Sequence, residues 1–328
     1  MRASRWSFFT TWLLLSLAQL VWADETVLEL AQEYPVQGLT AGHLSGLSQC
    51  KGRWWAVSDR VDNQVFELIL DSAQQQFLAQ PYAIQVPPIN RKPLANGLLQ
   101  SVVSQVRGSE LDFEGISCDS QHNLYLVSEA YSAVLQVNRE GEGRWIRLPS
   151  NLHSMARANG LLLRHNAGLE GLALAEDGSQ LWLAAERQGR GLIRLTQHQL
   201  QWRCIDNCVV LAEQHQVPLP APYSGRAAAD FSGLSMYRDK LFTLERAERQ
   251  LCRRELKHGK VERCWSFAST ESLPEKRYGG AQLGMAEALV IEEGAAWVGL
   301  DTADKVRADQ LKNPIIWQFK APAKGWLH

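Results

Sequence analysis

Apolar and polar positions alternate along most of this chain in short runs of period two, and no stretch shows the longer repeat of an amphipathic helix. Val65-Phe66-Glu67-Leu68-Ile69-Leu70, Val134-Leu135-Gln136-Val137, Leu192-Ile193-Arg194-Leu195, Leu251-Cys252-Arg253 and Ile315-Ile316-Trp317-Gln318-Phe319 each read as a strand. Further strands are predicted at Tyr82 to Val86, Trp145 to Leu148, Cys208 to Leu211 and Val261 to Trp265. Turn-forming clusters such as Glu176-Asp177-Gly178-Ser179 and Arg139-Glu140-Gly141-Glu142-Gly143 divide them.

The alternation is organised into five copies of one phrase. A small or acidic residue precedes Gly-Leu or Gly-Ile, and a second strand then ends in an acid. The copies begin at Ser45-Gly46-Leu47, Glu114-Gly115-Ile116, Glu170-Gly171-Leu172, Ser232-Gly233-Leu234 and Glu287-Ala288-Leu289. Their second strands end at Asp59, Glu129, Glu186, Glu245 and Asp301. Repeats of this length built from strands predict an all-β fold, a single β-propeller of four-stranded antiparallel blades. The repeats tile residues 24–328, so Val27 to Val36 is expected to supply an outer strand to the last blade and close the ring. Five blades are counted; a sixth remains open within Pro87 to Glu110 or Ser150 to Gly168.

Residues 1–23 read as a secretory signal peptide: Arg2 and Arg5 precede an apolar stretch from Phe8 to Val21, and Val21-Trp22-Ala23 offers a small-residue cleavage site. A periplasmic or secreted location follows, with no membrane span expected in the rest of the chain. A formal net charge of −1 argues against nucleic acid as a partner. A monomer is expected. In an oxidising compartment the six cysteines are candidates for disulfides. A hairpin around Lys257-His258-Gly259 puts Cys252 opposite Cys264, which predicts a bridge. Cys204 and Cys208 are spaced to close a small ring, whereas Cys50 and Cys118 read equally as a bridge or as two buried thiols.

Symmetry would gather the recurrent acids near one axis. Glu114, Glu170 and Glu287 share one repeat position, and three carboxylates among hydroxyls and carbonyls suit calcium, a hard cation with oxygen ligands. Asp112 and Asp230, two residues before ring members, join Asp59, Glu129, Glu186, Glu245 and Asp301 as supporting acids. These also have a plain structural reading, as acceptors for blade N–H groups or partners of basic neighbours. Arg60, Arg187 and Arg246 follow ring acids and are read either as holding a substrate anion or as salt-bridged supports. His43, His153 and His165 read as surface histidines. No nucleophile elbow, phosphate-binding loop or dinucleotide fingerprint occurs.

These segments resemble the phytase-like propeller family, known for the esterase-like activity of phytase, and the related SdiA-regulated propellers. The resemblance rests on Leu44-Ser45-Gly46-Leu47 with Val57-Ser58-Asp59, and Asp112-Phe113-Glu114-Gly115-Ile116 with Val127-Ser128-Glu129. It continues in Asn166 to Leu174 with Glu186-Arg187, Asp230-Phe231-Ser232-Gly233-Leu234 with Thr243-Leu244-Glu245-Arg246, and Glu287-Ala288-Leu289 with Leu300-Asp301. Two departures stand out: Ala288 replaces the expected glycine, and Thr302-Ala303-Asp304 follows Asp301 where such members often carry asparagine. The resemblance implies calcium-dependent phosphoester hydrolysis. Two functions therefore remain open: a phosphoesterase acting on a small anionic molecule, or a non-catalytic propeller that binds a small ligand or partner protein around a structural calcium.

Overall fold

The computed structural model describes residues 26–39, 43–89, 109–163, 168–186 and 189–328. The expected leader, Arg187 and His165 lie outside them. Four of the five repeats begin an antiparallel meander of their own. The first is Gly46–Cys50, Arg53–Val57, Gln64–Asp71 and Gln76–Ala83; the second is Phe113–Cys118, Leu124–Ser128, Ala133–Val137 and Gly143–Trp145. In the third, Leu169–Leu174, Gln180–Ala185 and Arg190–His198 are followed by Gln201–Arg203 and Val209–Glu213, which both pair with Arg190–His198. The fourth is Gly233–Tyr237, Lys240–Glu245, Gln250–Arg254 and Val261–Ser266, extended by Thr26–Val27 in parallel. The fifth, Ala286–Ile291, Ala295–Leu300 and Ile315–Lys320, takes its outer strand from the start of the chain. Leu30–Gln37 lies antiparallel to Ile315–Lys320 and also pairs in parallel with Gln76–Ala83 of the first sheet.

The first strands abut one another in cyclic order, and Ala286–Ile291 packs back against Gly46–Cys50. Packing explains why the inner strands read as nearly continuous apolar runs: both faces of each sheet are covered. Trp54 and Ala56 point into the gap toward the fifth sheet, beside Val290 and Trp297. Trp55 and Val57, one residue out of phase, point into the gap toward the second sheet, beside Phe113, Ile116 and Leu126. Each remaining gap holds its own buried cluster, around Leu169 and Leu183, around Trp182 and Leu234, and around Trp265 and Trp317. Each large side chain so buried contributes ~1.5–3 kcal/mol. The short helix Leu152–Ala158 caps the gap between the second and third sheets with Leu152 and Ala156.

Tight approach of neighbouring sheets explains the repeated glycine. A Cβ on Gly115 would come within 2.7 Å of the Glu170 carbonyl oxygen in the next sheet. The departure at Ala288 is compensated across the ladder, where Ala288 pairs with Gly299. The other sheets pair the glycine with Val57, Val127, Ala184 or Leu244. The fifth sheet has moved its glycine to the second strand.

Two outer strands lie earlier than expected, Gly143–Trp145 instead of Trp145 to Leu148 and that of the first sheet. The outer strand of the first sheet is Gln76–Ala83, earlier than Tyr82 to Val86. The Asp71 carboxylate accepts the N–H groups of Ala73 and Gln74 and folds the polar run Asp71 to Gln75 into a tight turn, so the return strand starts at once. The cysteines form three bridges: Cys252–Cys264, Cys204–Cys208 and Cys50–Cys118, the last tying the first strands of two neighbouring sheets.

Candidate functional site

Local backbone irregularity places the three glutamates. In the second, third and fifth sheets the ladder register slips between Phe113 and Gly115, between Leu169 and Gly171, and between Ala286 and Ala288. Glu114, Glu170 and Glu287 are therefore each the extra residue of a β-bulge, a device that re-aims a side chain at the end of a strand. In the serine sheets the ladder starts only at Gly46 and Gly233, and Ser45 and Ser232, just before it, donate their N–H groups to the Val57 and Leu244 carbonyls. Their hydroxyls are used internally: Ser45 Oγ accepts the Asp59 N–H at 3.1 Å, and Ser232 Oγ donates to the Ala286 carbonyl at 2.8 Å.

All five positions border the axis. The cavity between them, from Ser45–Leu47, Glu114–Ile116, Glu170–Leu172, Ser232–Leu234 and Glu287–Leu289, measures about 10 Å³. That is about one water molecule by volume. The axis narrows at this ring; a cavity of about 500 Å³ opens at the far end of the inner strands, beside Ser48, Ser117, Ser235 and Ile291, and the carboxylates gather at the other end.

At that end the carboxylates sort into separate pockets. Asp59, Asp112 and Glu114 offer ligand atoms within 4.8 Å of one another, and so do Glu129, Glu170 and Glu186. The backbone fixes these neighbours. The Glu129 N–H donates to the Asp112 carbonyl at 2.9 Å, and the Gly168 N–H donates to Glu129 Oε1 at 3.0 Å. Burial pushes Glu114 well above the usual carboxylate range, reinforced by Asp112 and Asp59. Burial does the same to Glu170, reinforced by Glu186 and Glu129. Like charges this close either share protons or take up a cation.

Glu287 has a different partner. Arg246 donates to Glu287 Oε1, to Asp230 Oδ2 at 2.8 Å and to Glu186 Oε1 at 3.0 Å. Glu114, Glu170 and Glu287 thus share a repeat position but are not gathered into one ligand set. Arg246, read from sequence as either an anion holder or a support, is enclosed by three carboxylates. Burial opposes its charge, yet Asp230 and Glu186 hold it firmly protonated. Glu245 is also fully satisfied. It accepts from Arg254 Nη2 at 2.5 Å, Arg190 Nη1 at 3.3 Å, Thr243 Oγ1 at 2.9 Å and Gln250 Nε2 at 3.1 Å. Although buried, it is held below the usual range by Arg254 and Arg190. Those two guanidinium groups also lie over the Phe231 ring, at 4.7 and 4.6 Å from its centre.

Arg60 stays more accessible, its side chain 28% exposed and its Nε 3.4 Å from Asp59 Oδ2. Sequence reasoning missed the partners of these acids. Arg190 and Arg254 occupy ordinary strand positions that carry no motif. His43 is not a surface residue; it is buried beside Asp59 and Asp301. Two carboxylates offset the cost of burying the imidazole, a compensation that only the folded ring supplies.

A family model described as Phytase-like, esterase-like activity of phytase, matches residues 39–263. No curated protein matches the chain. Among solved structures, the glutaminyl cyclase of Myxococcus xanthus is 11% identical over 89% of this chain and 95% of its own, with a TM-score of 0.49. Virginiamycin B lyase from Staphylococcus aureus is 12% identical over 89% and 74%, with a TM-score of 0.36. The β-propeller domain of Cps50 from Myceliophteria thermophila is 10% identical over 81% and 66%, also with a TM-score of 0.36.

Proposed function

Because the chain belongs to the phytase-like family, we propose that it is an exported, calcium-binding phosphoester hydrolase working at the acid-lined end of the propeller axis. The observation that carries this reading is the pair of carboxylate triads, each with its ligand atoms within 4.8 Å. Glu129, Glu170 and Glu186 form an all-oxygen, buried set, which fits calcium and not a thiophilic ion. Asp59, Asp112 and Glu114 form the more accessible set. Bound there, calcium would polarise a phosphoryl oxygen and acidify a water. Arg60, beside Asp59, would hold the substrate anion, with Arg187 outside the described residues. With so little positive charge available, the substrate class is a small phosphomonoester and not a highly phosphorylated one.

The reading takes residues 24–328 as one domain, a five-bladed monomeric ring closed by Leu30–Gln37, released by cleavage after Ala23. The three disulfides support an oxidising location. Among the described residues no helix is long and apolar enough to cross a membrane.

Arg246 favours a second reading. An arginine consumed by Glu186, Asp230 and Glu287 cannot also clamp a substrate, which suits a non-catalytic module that binds a small ligand or partner protein around a structural calcium. Release of inorganic phosphate from a panel of phosphomonoesters, by metal-stripped and calcium-restored protein, separates the two. Calcium-dependent turnover lost in Arg60→Gln supports the hydrolase. Bound calcium without turnover leaves the binding module.

A further inference from the structure

We infer that His43, Asp59 and Asp301 form a second metal site, for a divalent ion of the zinc type, at the seam where the last sheet meets the first. His43 lies just before Gly46–Cys50, Asp59 just after Arg53–Val57, and Asp301 just after Ala295–Leu300. The three residues offer ligand atoms within 4.8 Å of one another. His43 Nδ1 faces both carboxylates, 3.2 Å from Asp59 Oδ1 and 3.5 Å from Asp301 Oδ2.

The imidazole is the independent observation. Its side chain is only 3% exposed, yet neither ring nitrogen makes a hydrogen bond, and neither does Asp59 Oδ1. Both nitrogens instead face carboxylates at ion-pair distance, without the directed geometry of a hydrogen bond. A plain His–Asp pair would close to one short, linear N–H···O contact. Here Nδ1 stands between two oxygens at separations that match the edge of a tetrahedral site, ~3.3 Å for bonds of ~2.0–2.1 Å. The far nitrogen completes the pattern. Nε2 faces Asp304 Oδ2 at 3.6 Å, and metal-bound histidines characteristically direct the second nitrogen to a carboxylate.

The donor set differs from the two acidic triads. A nitrogen ligand with two carboxylates favours zinc, cobalt or nickel over calcium, whose ligands are oxygens. Three protein ligands leave a fourth position open, as in sites that bind water or substrate. Asp59 is common to this set and to the set with Asp112 and Glu114, so one carboxylate joins the two. The inference rests on these atoms alone and holds whether or not the protein hydrolyses phosphoesters.

The test uses the full chain, stripped of metal, saturated with calcium and titrated with cobalt(II) alone. One equivalent of cobalt is expected to produce the intense visible bands of a tetrahedral ion, and zinc should displace it. His43→Gln and Asp301→Asn should each remove those bands while the calcium effect on melting persists. Asp304→Asn should weaken cobalt binding ~10–100-fold without changing the spectrum. Asp301→Asn serves alone if His43→Gln does not fold. A wild-type protein with no tetrahedral cobalt spectrum, or a spectrum unchanged in the folded variants, overturns the site.

Discussion

Glu33 and Arg307 are 274 residues apart in sequence and meet in a two-pronged ion pair, with Arg307 Nη1 2.6 Å from Glu33 Oε2 and Nη2 2.8 Å from Oε1. Lys276 Nζ and Trp317 Nε1 donate to the same carboxylate at 2.9 and 2.7 Å. Burial would raise the pKa of Glu33, but Arg307, Lys276 and Trp317 hold it at about 2 against an ordinary 4.5. A depressed pKa means stability that is present above the ordinary value and lost as pH falls toward 2. Acid melts should show that loss, and Glu33→Gln should remove this part of the pH dependence. Arg307→Ala should cost less than the ~3–5 kcal/mol of a stranded buried charge, because Lys276 and Trp317 still hold the carboxylate. An unchanged acid slope in Glu33→Gln would count against the assignment.

Glu170 has the opposite sign. Its raised pKa means that, without a cation, its contribution to stability is complete at acid pH and declines as pH rises through the folded value. Calcium takes the deprotonated form, so its effect on melting should grow with pH. At 100 times its dissociation constant it should add about 2.7 kcal/mol. Glu170→Gln should stabilise the metal-free protein at neutral pH and abolish the calcium response. Thermal melts with calcium and with chelator, at acid and neutral pH, measure both effects.

Glu248 reports on a neighbouring cluster. Burial raises it from 4.5 to about 7 despite Arg190, whose Nη1 is 2.8 Å from Oε1, with Glu245 and Asp230 adding to the rise. Stability should fall as pH increases across that interval, and Glu248→Gln should flatten the fall. Equal melting slopes in the two proteins would dissociate Glu248 from the pH response.

The disulfides should rank by loop length in the unfolded chain. Separations of 68, 12 and 4 residues give ~4, ~3 and ~2 kcal/mol by the chain-entropy relation. Alanine pairs at Cys50 and Cys118, at Cys252 and Cys264, and at Cys204 and Cys208 should lower denaturant midpoints in that order. A reversed order would place the stabilisation in native packing instead.

Repetition made much of this legible. Alternating strands and the five copies of one phrase marked the sheets, and the acids before and after them marked the end where charge collects. Partner choice was not legible. Glu114, Glu170 and Glu287 look alike in sequence, yet Arg246 reaches across from the fourth repeat to claim Glu287 and leaves the other two among carboxylates. The bulges that aim these side chains have no residue signature; they emerge when the ladder closes. Ala288 looked like a lost glycine, because Gly299 becomes its partner only through strand pairing.

The pairing of Leu30–Gln37 with Ile315–Lys320 has a consequence for biosynthesis. Leu30–Gln37 leaves the ribosome long before Ile315–Lys320 does. Earlier sheets can collapse as they emerge, but the fifth stays a two-stranded hairpin with an open edge until Ile315–Lys320 is made. A chain stopped short of Ile315 leaves Leu30–Gln37 without that partner and presents unpaired backbone to chaperones and proteases. Completion of the ring therefore waits on Ile315–Lys320: a chain lacking that strand leaves one edge of Leu30–Gln37 exposed.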